Sequence, residues 1–302
     1  MRVRKLVPLA ALGVVAILAI PGAGTGAPIV KCFGKTATLV GTAGANTLTG
    51  TAGADVIAGL GGPDTIDAGG GNDYICPGDG NDTVSGGKGQ DEMEGSDGND
   101  AFDGGAGEDT LNVSGAPGPV TANLAAGIAA GWGTDTVANV EDFYGSGFAD
   151  VVTGSAASNE LWGNRGADAL TGGAGDDTFF GGPGNDVLKG GPGYDWADWY
   201  FAAHGIVADL NLHRATGEGT DSLFTIEGLS GTRFADKFLG STAPNALYGY
   251  GGTDNLQGRA GDDFLNGGPG ADRLDGGPGF DDLNGGAGRD VCRHGERRHN
   301  CP

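Results

Sequence analysis

Broken every nine letters, residues 172–198 read GGAGDDTFF, GGPGNDVLK and GGPGYDWAD. Glycine stands at the first and fourth letters, aspartate at the sixth and, in the first two, a large apolar residue at the eighth. A carboxylate at a fixed offset, beside glycines that leave backbone carbonyls uncovered, is a supply of hard oxygen donors. That is the chemistry of Ca²⁺, which takes six to eight oxygens in flexible geometry, more than of Mg²⁺, which demands a tighter octahedron and gives up water reluctantly. Glycine at fixed offsets also marks places where the chain must turn without a Cβ.

The same frame fits three blocks, at 41–112, 145–198 and 231–293, making 21 repeats. The sixth letter is Asp in 18 of them, the exceptions being Asn46, Asn159 and Asn245 in the first or second repeat of a block. The eighth letter is large and apolar in all but two, Ala197 and Cys292, and the fourth is Gly in 17. Three positions held in register across three blocks establish an internal repeat.

The elements that position these residues must be small. Six letters of glycine-rich turn leave about three for a strand, and a strand so short is stable only in a stacked sheet. Segments 113–144 and 199–230 separate the blocks and are related to each other: GTDTVANVEDFYG (133–145) aligns on GTDSLFTIEGLSG (219–231). Alternation predicts short strands in VTANL (120–124) and IVADLNL (206–212). No helical periodicity is evident after residue 30, so the fold class is all-β.

This nonapeptide resembles the GGxGxDxUx repeat of RTX, or hemolysin-type, calcium-binding proteins, whose Ca²⁺ role is a known property of the motif. The resemblance implies a parallel β-roll, a solenoid with two repeats per coil, so that residues 18 apart stack about 4.8 Å from one another. It implies metal ligands at Asp55, Asp64, Asp73, Asp82, Asp91, Asp100, Asp109, Asp168, Asp177, Asp186, Asp195, Asp254, Asp263, Asp272, Asp281 and Asp290. Paired at a spacing of 18, with Gly at the fourth letter of both partners, these give ten Ca²⁺ sites. Asp150 and Asp236 follow Phe148 and Phe234 rather than Gly and are half-sites. The three asparagines bring no charge and fit turn caps better than ligands.

The chain has 17 Lys and Arg against 39 Asp and Glu, a net charge of −22. Such a surface repels nucleic acid. Residues 1–27 read as a cleavable export signal: a basic MRVRK, an apolar LVPLAALGVVAILAI, then small residues. The apolar run is too short for a stable membrane span. The expected divisions are 1–27, signal; 28–112, N-terminal cap and first block; 113–144 and 199–230, connectors; 145–198, second block; and 231–302, third block with a Cys-capped basic tail. Four cysteines in an exported chain read as two disulfides; of three possible pairings, Cys32–Cys76 and Cys292–Cys301 would staple one end of the array each.

No GxSxG or HExxH occurs, and FGKT (33–36) lacks the first glycine of a phosphate loop. The connector acids Glu141, Asp142, Asp209, Glu218, Asp221 and Glu227 are the remaining catalytic candidates, with no room for a separate catalytic domain. The reading is therefore a secreted, non-enzymatic calcium-binding module that folds on binding its ions and is structural or surface-associated, with a cell-envelope or glycan partner. The alternative is an extracellular enzyme or glycan binder with a site in the connectors. The aromatic cluster YDWADWYF (194–201) either stacks on sugars or plugs the end of the second block.

Overall fold

The computed structural model describes residues 29–301; the expected signal at 1–27 lies outside them. Among the described residues there is no helix, and so none long and apolar enough to cross a membrane. Strands of mostly three residues alternate between two stacked sheets. The first contains 14 strands, from Leu39–Val40 through Val56–Ala58 and Tyr74–Cys76 to Arg297–His299. The second runs from Thr47–Thr49 through Thr65–Asp67 and Thr83–Lys88 to Val291–Arg293; each of these end strands has one neighbour, so this sheet too is open. Within blocks the pairing is parallel with an offset of 18, for example Ile57↔Ile75 and Leu170↔Leu188. The all-β parallel solenoid with two repeats per coil is as expected.

The core is one side chain deep from each sheet. Ile57, Ile75, Leu111, Phe143, Leu161 and Phe179 point in from the first sheet, and Ile66, Val84, Phe102, Leu170, Leu188 and Phe238 from the second, all 2% exposed or less. At Ala197 the short side chain is accompanied by buried Trp199, whose ring lies 6.3 Å from Phe238. The fourth-letter glycine is explained by coil-to-coil contact. At Gly98 (φ +147°) a Cβ would fall 1.5 Å from the Gly80 carbonyl oxygen, and at Gly219 (φ +158°) 1.3 Å from that of Gly184. A side chain is accepted where a new stack of turns begins, as at Phe148 and Phe234.

Each connector adds a three-stranded antiparallel meander to the second sheet. Thr121–Asn123, Ile128–Ala130 and Thr134–Ala138 form the first, and Val207–Asp209, Arg214–Thr216 and Thr220–Phe224 the second. Their outer strands pair in parallel with the flanking coils. The first sheet continues without interruption, Leu111↔Phe143↔Leu161. The predicted strands at 120–124 and 206–212 are thus the meanders' first strands.

The disulfides are Cys32–Cys76 and Cys292–Cys301. The first ties the N-terminal hairpin Lys31–Cys32/Lys35–Thr36 to the third strand of the first sheet; the second ties the last strand of the second sheet to the chain end. The chain-entropy account of cross-links gives about 4 kcal/mol for a separation of 44 residues and about 2.5 kcal/mol for 9. Replacing Cys32 and Cys76 with Ser is therefore expected to lower the melting temperature in calcium more than the same change at Cys292 and Cys301. Calorimetry giving the reverse order would show that strain, not chain entropy, sets their contribution.

Candidate metal centre

Because each coil is 18 residues, the sixth letters form two columns, one on each edge of the roll. Each backbone N–H in a column donates to the carboxylate of the next coil. Asp55 N–H bonds Asp73 Oδ1 (2.7 Å), Asp73 bonds Asp91 (2.8 Å) and Asp91 bonds Asp109 (2.8 Å). On the other edge Asp64 bonds Asp82 (2.7 Å) and Asp82 bonds Asp100 (2.9 Å). The second block repeats this through Asp168–Asp186 and Asp177–Asp195, and the third through Asp254–Asp272–Asp290 and Asp263–Asp281. Of the sixteen aspartates expected as ligands, fifteen are buried and Asp55 is half-buried.

These ladders employ Oδ1, and the fate of Oδ2 divides the 21 turns into two classes. In fourteen, at Asp64, Asp73, Asp82, Asp91, Asp109, Asp168, Asp177, Asp186, Asp195, Asp254, Asp263, Asp272, Asp281 and Asp290, Oδ2 is buried without a hydrogen-bond partner. In the other seven the second letter is Ser or Thr and occupies the sixth-letter side chain. Thr51 gives both its N–H (2.7 Å) and hydroxyl (2.9 Å) to Asp55 Oδ2, and Thr232 does the same to Asp236 Oδ2; Ser146 gives its N–H to Asp150 Oδ2 and its hydroxyl to Asp150 Oδ1. Thr42, Ser155 and Ser241 cap Asn46, Asn159 and Asn245 through their N–H groups at 2.6–2.7 Å, and the Ser96 hydroxyl reaches Asp100 Oδ2 at 3.2 Å. The asparagines are turn caps, as expected.

The backbone follows the same division. The second letter is left-handed in all fourteen turns with an orphaned oxygen, and in none of the Ser/Thr turns. Ten of the fourteen are Gly. The other four are Leu60 (φ +82°), Asn164 (+66°), Tyr250 (+60°) and Arg259 (+76°). For a residue with a Cβ that conformation costs on the order of 1–2 kcal/mol, less for Asn. Strain of this kind persists where the surroundings enforce it, often at functional sites.

An unpaired buried carboxylate oxygen is costly. Its consequence is visible in the acidities. Burial, opposed in part by the N–H of the preceding coil, pushes Asp73, Asp168, Asp177, Asp186 and Asp254 up to about 7, and Asp109 and Asp263 to about 6. Neighbouring acids in the same column push in the same direction, as Asp91 does at Asp73 and Asp195 at Asp177.

The orphaned oxygen faces other oxygens. Beside the first-letter glycine of a turn, the space a Cβ would fill is bounded by the turn's own Asp Oδ2 and a carbonyl from the next coil: Asp168 Oδ2 with Gly181 O at Gly163, and Asp272 Oδ2 with Gly285 O at Gly267. Among the described residues no three His, Cys, Asp or Glu side chains converge on one point. A cation here would have to draw most of its ligands from backbone carbonyls, with the Asp carboxylates of neighbouring coils supplying the charge. That all-oxygen donor set fits Ca²⁺.

The calcium-binding repeat profile matches residues 40–75, 77–111, 144–197 and 230–296, which include every orphaned turn. The chain belongs to the RTX calcium-binding nonapeptide repeat family. No curated protein matches it.

The RTX columns extend past the nine-residue blocks into both connectors. Asp100 and Asp186 donate their N–H groups to Asp135 and Asp221, and Asp109 and Asp195 donate to Glu141 and Glu227. Glu296 ends a column in the third block by accepting from Asp281. Asp135 and Asp221 sit in AGWGTDTVA (130–138) and TGEGTDSLF (216–224), whole RTX repeats with Ala or Thr for the first glycine. Three connector acids considered for catalysis, Glu141, Asp221 and Glu227, are thus column ends. A fourth, Asp209, is held below the usual carboxylate range by Arg259, which clamps it through two bonds of 2.7 and 2.8 Å.

Proposed function

We propose that this RTX chain is a secreted, non-enzymatic, calcium-dependent structural module, and that its ions are held between consecutive turns that both carry an orphaned Asp Oδ2. The single observation supporting this is the fourteen buried, unpartnered carboxylate oxygens, all in turns with a left-handed second letter. The chemistry calcium supplies is charge neutralisation: it replaces the missing hydrogen bonds and removes the repulsion along the column. The residues supply the rest, with carboxylates fixed by the N–H of the preceding coil and glycine-rich backbone exposing carbonyls.

Pairing orphaned turns at a spacing of 18 gives eight sites: 64/82, 73/91, 91/109, 168/186, 177/195, 254/272, 263/281 and 272/290. The pairs 55/73 and 82/100 drop out of the original ten because Thr51 and Ser96 already satisfy one partner. The export signal and the excess of acid fit a chain that stays open where calcium is scarce and folds where it is abundant.

Titration calorimetry tests the assignment. Asp91→Asn, which lies in two pairs, is expected to remove about two ions per chain and to weaken the rest. Asp55→Asn, at a turn capped by Thr51, is expected to leave the stoichiometry unchanged. Equal effects of the two substitutions would refute the division into two classes of turn.

A further inference from the structure

The outward face of the first sheet carries a feature the calcium columns do not use. One row of side chains along it reads Tyr144, Trp162, Phe180, Asp198, Ser230, Tyr248, on successive paired strands. The first three rings stack, with centroids 4.9 and 3.7 Å apart and planes within 12°. The ladder then stops. Asp198 and Ser230 are small, so Phe180 and Tyr248 face each other across three strand spacings, about 14 Å.

Trp196 lies beside this gap. Its ring is laid over Gly228 on the next strand, where a Cβ would fall 2.3 Å from the indole Cδ2. The ring is tilted 53° to Tyr248 at 5.5 Å and stays half-buried. Phe201 overhangs the other side of the ladder. It is 71% exposed, with ring contacts at 5.6 Å to Trp162 and 6.4 Å to Phe180. Two depressions, of 310 and 600 Å³, meet at Phe180 and Asp198. The plugging role considered for the 194–201 aromatics therefore holds for buried Trp199 and not for exposed Phe201.

We propose that this groove binds a neutral glycan chain, with pyranose rings lying on Trp196 and against Phe180, Phe201 and Tyr248 while their hydroxyls donate to Asp198 and Glu160. The chemistry selects that occupant. Pyranose rings present flat CH faces that pack on aromatic rings, and hydroxyls that need acceptors. The larger depression has two acids and one amide on its wall and no Lys or Arg, the smaller adds Arg165 and Glu218, and the chain's charge is −22, so polyanionic glycans are disfavoured. Asp198 is fixed as an acceptor by the Tyr200 N–H at 2.7 Å, and Glu160 by the Trp162 indole N–H at 2.7 Å.

The test is calorimetry in saturating calcium with soluble β-1,4- and β-1,3-linked glucan hexasaccharides, and with alginate and choline as charged probes. Binding of a neutral hexasaccharide is expected, weakened roughly tenfold by Trp196→Ala or Phe201→Ala, the loss of one aromatic contact. Phe201 is exposed, so its replacement is expected to leave the melting temperature and the calcium stoichiometry unchanged and to separate binding from packing. No binding of either glucan at millimolar concentration, wild-type affinity in both variants, or preference for alginate or choline would overturn the proposal. Because calcium binding is measured on the same samples, failure of this site is distinguishable from failure of the calcium reading.

Discussion

In excess EGTA at neutral pH this chain is expected to lose nearly all its far-ultraviolet strand signal, and to regain it in a steep, sigmoidal step when calcium is returned. The cause is the inside of the turns. Fourteen buried carboxylate oxygens without partners, arranged in columns one strand spacing apart, must either be protonated or be neutralised by a cation. Against them stands a core only one side chain deep and a backbone with 65 glycines, the residue that loses most freedom on ordering. An ion held between two turns would join two coils, and each coil lies against the next, so the gain would propagate along the roll as in other repeat arrays. Metal binding and folding then become one equilibrium. Magnesium at the same concentration is expected to restore far less signal. Circular dichroism settles this: unchanged strand content in EGTA would mean that the columns stand without a metal.

The periodic parts of this structure were legible in the letters. Gly, Asp and an apolar residue at fixed offsets led to the short strands and the core, the resemblance to the RTX repeat added the coil length and sheet pairing, and the alternating stretches at 120–124 and 206–212 led to the meander strands. What stayed hidden depends on single atoms. In the sequence Asp55 and Asp73 look equivalent. Only the turn geometry shows that Thr51 bonds the free oxygen of the first, while Gly69, left-handed, leaves that of the second bare. The signal was present as Ser or Thr at the second letter, and the first two turns of every block have it. Asp135 and Asp221 were missed because Ala130 and Thr216 replace the first glycine, which broke the frame. Glu141, Glu227 and Glu296 were missed because a longer side chain reaches the column from a shortened turn. Of the aromatic groove the letters showed only the 194–201 cluster with Trp196 and Phe201; that Phe180 and Tyr248 join them depends on which rings the coil brings side by side and on Gly228 making room for Trp196.

The second large effect is on pH, and it reverses sign with the metal. In the metal-free fold, Asp73, Asp168, Asp177, Asp186 and Asp254 are pushed up to about 7 from an ordinary 3.8, chiefly by burial, and Asp100, Asp109 and Asp263 to about 6. A raised carboxyl favours the fold while it is protonated. Its contribution is complete below about pH 4 and is lost as pH rises through 6 and 7. A protonated Oδ2 also becomes a donor, and a next-coil carbonyl such as Gly181 O beside Asp168 is an acceptor near it. Chain held in EGTA is therefore expected to gain strand signal as pH falls from 7.5 to 4. With calcium present the order inverts: ions need the ionised carboxylates, so affinity falls as pH drops through 7 and 6, and binding near pH 6.5 releases protons to the buffer. Calorimetry in buffers of different ionisation enthalpy measures that release. If acid brings no strand signal in EGTA and calcium displaces no protons at pH 6.5, the buried oxygens are satisfied by some other route and the assignment of the columns as the metal sites falls.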